Sequence, residues 1–100
     1  MLAISNTQMP DDESAEEVSI EILLWMGNKL DIMERFLKMS GIQADDIRGM
    51  IGHRSFYAGL FAFVMNHEPD LLDFCQDRNI DMVWTRRCDE HFAGESVPWL

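Results

Sequence analysis

The helical spacing of the apolar residues is the feature that most constrains the fold of this chain. Val18, Ile22, Trp25 and Met26 recur at the i, i+4, i+7 and i+8 positions of one helical face. The same kind of spacing returns along most of the sequence, and no Asn-Gly or Asp-Gly turn joins alternating runs. The predicted fold class is therefore all-α, a compact bundle of five to six short helices.

Capping residues divide the chain into these helices. The predicted helices begin near Ser14, Asp31, Ala44, Arg54, Glu68 and Asp81. Gly41 and Asn79 suit the left-handed conformation that ends a helix. We therefore expect a flexible acidic leader over residues 1–13, one helical domain over 14–93, and a C-terminal tail over 94–100 whose Trp99 either docks or stays free.

An internal echo appears when the chain is shifted by 38 positions. The shift superposes Phe36 on Phe74, and the helix-ending Gly41 on Asn79. This match predicts two related units, each with the order helix, linker, helix, cap, helix, packed about a pseudo-dyad.

The charge of the chain disfavours several classes of partner. Its formal net charge is -10, and such a field repels both phosphate and anionic lipid. The helix-turn-helix outline over residues 31–51 would bring Asp45 and Asp46 to DNA phosphates. Nucleic acid and membrane are therefore not expected as partners, although a nucleic-acid role would need a basic face around Arg78, Arg86 and Arg87.

A cytosolic location is expected from the start of the sequence and from its cysteines. Residues 1–9 lack the basic region of a secretory signal, and the longest apolar run, Phe56 to Met65, is about half of the ~20 residues that cross a bilayer. Cys75 and Cys88 do not make a disulfide framework. We expect both to be free, buried thiols.

The predicted fourth helix has apolar residues on more than one face, with Phe56 and Leu60 in one stripe and Tyr57 and Phe61 in another. Such a helix is central or shared with a partner. The leading prediction is a non-catalytic module that binds another protein, or itself through the Phe56 to Met65 helix. The candidate interaction surface is Tyr57, Phe61, Met65, Arg86, Arg87 and Trp99.

No catalytic, cofactor or metal site is predicted. His67-Glu68 lacks the second histidine of the zinc protease motif, because position 71 is leucine. Cys88 and His91 share a helix face, and with Cys75, His67 or His53 they would give the alternative function, a small-molecule or metal-binding protein or enzyme. The acidic row Asp70, Asp73 and Asp77 is expected to be a solvated outer face.

From Glu17 to about His91 the chain resembles a family of short bacterial proteins catalogued as a domain of unknown function. The residues that carry the resemblance are Arg35-Phe36-Leu37, Ser40-Gly41-Ile42, Ile47-Arg48, Phe56, Phe63-Val64, His67-Glu68, Leu71-Leu72 and Phe74. They are mainly packing and capping residues, so the resemblance implies a fold and no assigned reaction, cofactor or binding site. The chain departs from the family in its methionine and aromatic content and in its Val97-Pro98-Trp99-Leu100 tail.

Overall fold

The computed structural model describes residues 8–97 and residue 99. This part of the chain contains helices and no strand, which confirms the all-α prediction. The helices are α1 (Asp12–Gly27), α2 (Leu30–Ser40), α3 (Ile47–Met50), α4 (Arg54–Met65), α5 (Glu68–Arg78) and α6 (Met82–His91), with a 3₁₀ turn at Ala44–Asp46 before α3. The radius of gyration, 12.9 Å, is that of a compact domain of this length.

Two helix starts depend on an aspartate cap. Asp81 accepts a hydrogen bond from the Trp84 backbone amide at the start of α6, as predicted. The predicted Ser14 cap is wrong. Asp11 caps α1 instead, because its side chain accepts from the Ser14 backbone N–H at 2.8 Å.

The segment before α1 packs on the domain where the structure describes it. Pro10 is buried, and Arg87 donates to the backbone carbonyl of Gln8 at 2.9 Å. Residues 8–10 of the predicted flexible leader are therefore held against α6, while residues 1–7 lie outside the described residues. In the predicted C-terminal tail, Pro98 and Leu100 lie outside them as well.

Helix α4 is the centre of the bundle. It contacts α1, α5 and α6, and all of its residues from Phe56 to Phe61 are buried. Aromatic rings fill the space around it, with Phe61 6.1 Å from Phe92 between ring centroids. Helix α3 is a single turn, and Ile51 after it is 45% exposed where the chain turns at Gly52 (φ +103°).

The helix boundaries follow the 38-residue shift. Helix α2 ends at Ser40 before a left-handed Gly41 (φ 76°), and α5 ends at the equivalent Arg78 before a left-handed Asn79 (φ 53°). The same shift carries the ends of α1 and α2 onto those of α4 and α5, and the start of the 3₁₀ turn onto that of α6. Each unit therefore has the predicted order of helices.

Two contacts between side chains of the two units are reciprocal, as they would be in a two-fold dimer. The packing of the helices is less symmetric, because α1 packs on α5 and α6 more closely than α4 packs on the equivalent α2 and α3. Trp25 packs edge to face on Phe74 at 5.7 Å, and the equivalent pair, Phe63 and Phe36, does so at 5.3 Å. A polar pair repeats the pattern: Lys29 lies 3.3 Å from Asp73, and the equivalent His67 lies 3.5 Å from Arg35. The 38-residue shift therefore relates these two contacts as well as the helix boundaries, which is what a pseudo-dyad would produce.

Candidate functional site

An open groove with a volume of about 910 Å³ lies between α1, α5 and α6. Its size is in the range of ligand and peptide pockets. We call it the acidic groove. It is lined by Glu13, Glu16, Glu17, Val18, Ile20, Glu21, Asp77, Arg78, Asn79, Ile80 and Trp84.

The apolar part of the acidic groove is placed by two helix ends. Asn79 turns left-handed after α5, and the next backbone N–H, that of Ile80, donates to the Cys75 carbonyl at 2.9 Å. This turn brings Ile80 back over the bundle, and the Asp81 cap then starts α6 so that Trp84 stands beside it. The groove has apolar surface available to a binding partner, because three of its side chains are only partly buried: Ile20, Ile80 and Trp84.

The rim of the acidic groove is strongly negative. Five carboxylates, Glu13, Glu16, Glu17, Glu21 and Asp77, line it against a single base, Arg78. Arg78 is already paired, since its Nε and Nη2 lie 2.7 and 2.6 Å from Oε2 of Glu21. Four of the five acids are therefore not matched by a cation within the groove.

The C-terminal tail occupies a different place, which we call the Trp99 slot (Phe36, Ser55, Phe56 and Gly59). The Trp99 ring meets the Phe36 ring edge to face at 5.8 Å and lies directly over Gly59. A Cβ added to Gly59 would lie 2.1 Å from the ring, so only glycine leaves room for it. The indole Nε1 of Trp99 is buried with no hydrogen-bond partner in the described chain.

Two residues of the predicted interaction surface lie inside the domain. Tyr57 is 2% exposed, and its hydroxyl accepts a hydrogen bond from the Gly52 backbone N–H at 2.8 Å. Burial also raises the pKa of the Tyr57 phenol. Phe61 is fully buried, and Met65 is partly buried against the core. α4 therefore presents Tyr57 and Phe61 to its own chain and not to solvent.

The other predicted surface residues do not gather at one place. Arg86 is exposed on α6, with Nη2 3.9 Å from the Met82 sulfur, while Arg87 reaches Gln8 and Trp99 fills its slot on α4. The basic face that a nucleic-acid role would need is also divided, because Arg78 turns to Glu21.

The thiols and imidazoles of the alternative function lie apart. Cys75 and Cys88 are free and buried, as predicted, and burial raises the pKa of Cys88 to about 12. His91 instead pairs with Asp12 at 2.5 Å, and His53 is exposed before α4. Among the described residues, no three His, Cys, Asp or Glu side chains are placed to hold a metal ion.

One buried carboxylate was missed by the sequence reasoning. Asp70 was expected to face solvent, but it is 6% exposed because Arg35 of α2 pairs with it and His67 Nδ1 approaches to 3.0 Å. Arg35 also lies over the Phe63 ring at 5.2 Å. We call Arg35, His67 and Asp70 the clasp, because their contacts join α2 to the start of α5.

A family model described as a protein of unknown function, DUF3572, matches residues 12–95. The chain belongs to this family. The DUF3572 match spans all six helices and includes every residue of the acidic groove, whereas Trp99 lies beyond it. No curated protein and no solved structure matches the chain. Within the described residues, no helix has the length and hydropathy needed to span a membrane.

Proposed function

We propose that this DUF3572 chain is a non-catalytic protein-interaction module that binds another protein through its acidic groove. The observation that supports the proposal is the groove itself, an open concavity of about 910 Å³ with partly buried apolar side chains at its base. Exposed apolar surface in a concave, polar-rimmed site is typical of protein contacts. We place this interaction in the cytosol, where two free thiols are the normal state.

A homodimer through α4 is less well supported than binding through the groove. The reason to expect that dimer was the apolar character of α4 on all sides, and the helices of its own chain already cover Tyr57 and Phe61. A second copy would reach these rings only if the domain opened. The acidic groove needs no such change.

The chemistry of the thiols also favours binding over catalysis. A catalytic cysteine acts as a thiolate, with a pKa lowered by nearby positive groups. Burial raises the pKa of both Cys75 and Cys88, which is the opposite direction. Their surroundings are those of small packing residues.

Site-specific photo-crosslinking in the native cell tests the proposed function. A photoreactive amino acid replaces Glu17 at the groove rim, and in a matched strain it replaces Glu34, an exposed glutamate of α2 outside the groove. We expect an adduct with another protein at position 17 and none at position 34. The yield of the adduct should fall when Trp84→Ala removes part of the apolar floor of the groove. An unchanged circular dichroism spectrum would show that this variant is still folded.

Three results would contradict the proposal. The absence of any adduct at position 17 would remove the interaction function, and equal adducts at both positions would show non-specific contact. An adduct with the mass of two copies of the chain would show that the groove binds a second copy and not a different protein.

A further inference from the structure

We infer that the acidic groove receives one large apolar side chain from a lysine- or arginine-rich segment of its partner. This inference rests on the proposed function, and it adds the chemistry of the partner. Three observations support it: the pseudo-dyad, the shape of the groove and the distribution of charge.

The pseudo-dyad places the acidic groove opposite the Trp99 slot. A shift of 38 residues carries Ser55, Phe56 and Gly59 of the slot onto residues 17, 18 and 21 of α1, and all three of these line the groove. In one unit this face of the central helix is covered by an indole from the tail. In the other unit the equivalent face of α1 is open.

The two faces differ at all three of these positions, and the difference between Gly59 and Glu21 defines where a bound side chain lies. Gly59 leaves space above α4 for the Trp99 ring, whereas the equivalent Glu21 carries a side chain that pairs with Arg78. A side chain entering the groove therefore lies beside this ion pair, on Ile20, Ile80 and Trp84. An aromatic or leucine side chain has the size to cover these three partly buried residues.

The charge distribution selects the segment that carries this side chain. The rim has five acidic side chains, and its one basic side chain, Arg78, is already paired with Glu21. Lysine or arginine residues on either side of the partner's apolar side chain would pair with the remaining acids. The tail of a second copy fits poorly, because residues 93–100 include Glu95 and no base. A basic, amphipathic segment of a different protein matches both the apolar floor and the acidic rim of the groove.

A synthetic helical peptide of lysine and leucine with one central tryptophan is the probe. It is titrated into the full ¹⁵N-labelled chain, alongside a peptide with glutamate for lysine and one with serine for tryptophan. We expect amide shifts around Ile20, Ile80 and Trp84 with the first peptide only. Binding should weaken about tenfold when tryptophan is lost, and it should weaken as salt is raised.

Two double variants separate groove binding from general attraction to an acidic protein. Glu13→Lys with Glu17→Lys changes the rim, and Asp31→Lys with Glu34→Lys changes exposed acids on α2, outside the groove. Each pair moves the net charge by four, from -10 to -6. We expect the groove pair to weaken the peptide about tenfold and the α2 pair to weaken it less than twofold.

The outcomes distinguish this inference from the proposed function. Equal weakening by both pairs, or shifts spread over the whole surface, would overturn the groove as the basic-segment site. A crosslinked partner whose contacting segment is acidic would also overturn the inference while leaving the interaction function intact. Loss of the crosslink at position 17 would remove both.

Discussion

Replacing Gly59 with alanine tests directly whether the C-terminal tail is held on α4. The new methyl carbon would lie 2.1 Å from Cζ2 of Trp99 and 2.5 Å from its Cη2. Because α4 is packed by three other helices, the indole is the group that must move. Gly49→Ala is the matched control, since nothing lies within 4 Å of a Cβ added to that helical glycine.

The expected energies follow from the contacts of the ring. Alanine for glycine inside a helix adds about 0.5–1 kcal/mol to the free energy of unfolding, which is the expected gain for Gly49→Ala. Gly59→Ala has the same gain but loses the packing of a partly buried indole, about 1–2 kcal/mol. The lost edge contact with Phe36 costs about 1 kcal/mol, and release of the unpartnered indole N–H returns about 1 kcal/mol. The two variants should therefore differ by about 1–2 kcal/mol.

Urea denaturation measures this difference, and nuclear magnetic resonance reports which group moved. The chain has three tryptophans, so three indole N–H signals identify the displaced ring. We expect the Trp99 signal of Gly59→Ala to gain fast solvent exchange while those of Trp25 and Trp84 stay in place. Equal stabilisation by both alanine variants with an unchanged Trp99 signal would refute the packing of the tail on α4.

Three further predictions test the clasp, the charged surface and the buried thiols. Asp70→Asn should lower the free energy of unfolding by about 2 kcal/mol in thermal denaturation, because it removes the buried carboxylate that pairs with Arg35. The control variant Asp77→Asn, at an exposed position of the same helix, should change it by less than about 0.5 kcal/mol. Hydrogen bonds from Arg54 and, to a smaller extent, from His91 lower the pKa of Asp12 below its usual value of 3.8. The Asp12 carboxylate therefore contributes to stability above pH 3.8, and this contribution is lost as the pH falls through the lowered pKa. Asp12→Asn should therefore flatten the acid side of the stability profile measured by urea titration. Cys88, with its pKa raised to about 12, should react with a thiol reagent at about pH 8 only as fast as the domain opens, and rapid labelling of the native chain would contradict its burial.

The helices of this chain could be predicted because their signals are local. Gly41 and Asn79 end α2 and α5 in the left-handed conformation, and both signals lie within a few residues of the helix that they end. The cap of α1 shows the limit of this reasoning. Asp11 and Ser14 are both good capping residues, and their types alone do not show that Asp11 is the one that caps α1.

The position of a side chain in the bundle was harder to predict than its helix. Tyr57 and Phe61 form a second apolar stripe on α4, and the sequence cannot show whether a partner or the same chain covers that stripe. Asp70 belongs to a regular acidic row, yet it is buried because Arg35 arrives from another helix, 35 residues away. The acidic groove was not found either, because its acids come from α1 and α5, and its apolar floor comes from α1, α6 and the turn that joins α5 to α6.

Helix α4 is apolar on all sides because the rest of its own chain covers it, so no second copy is required. In a dimer of single units, the central helix of each would pack on its twin, and here α1 and α4 are those twins in one chain. The reciprocal Trp25–Phe74 and Phe63–Phe36 contacts are the interface of that internal dimer. A partner is then expected where the two units stop being equivalent. The groove side of α1 is one such place, because Glu21 stands there in place of Gly59 and the tail covers only the other unit.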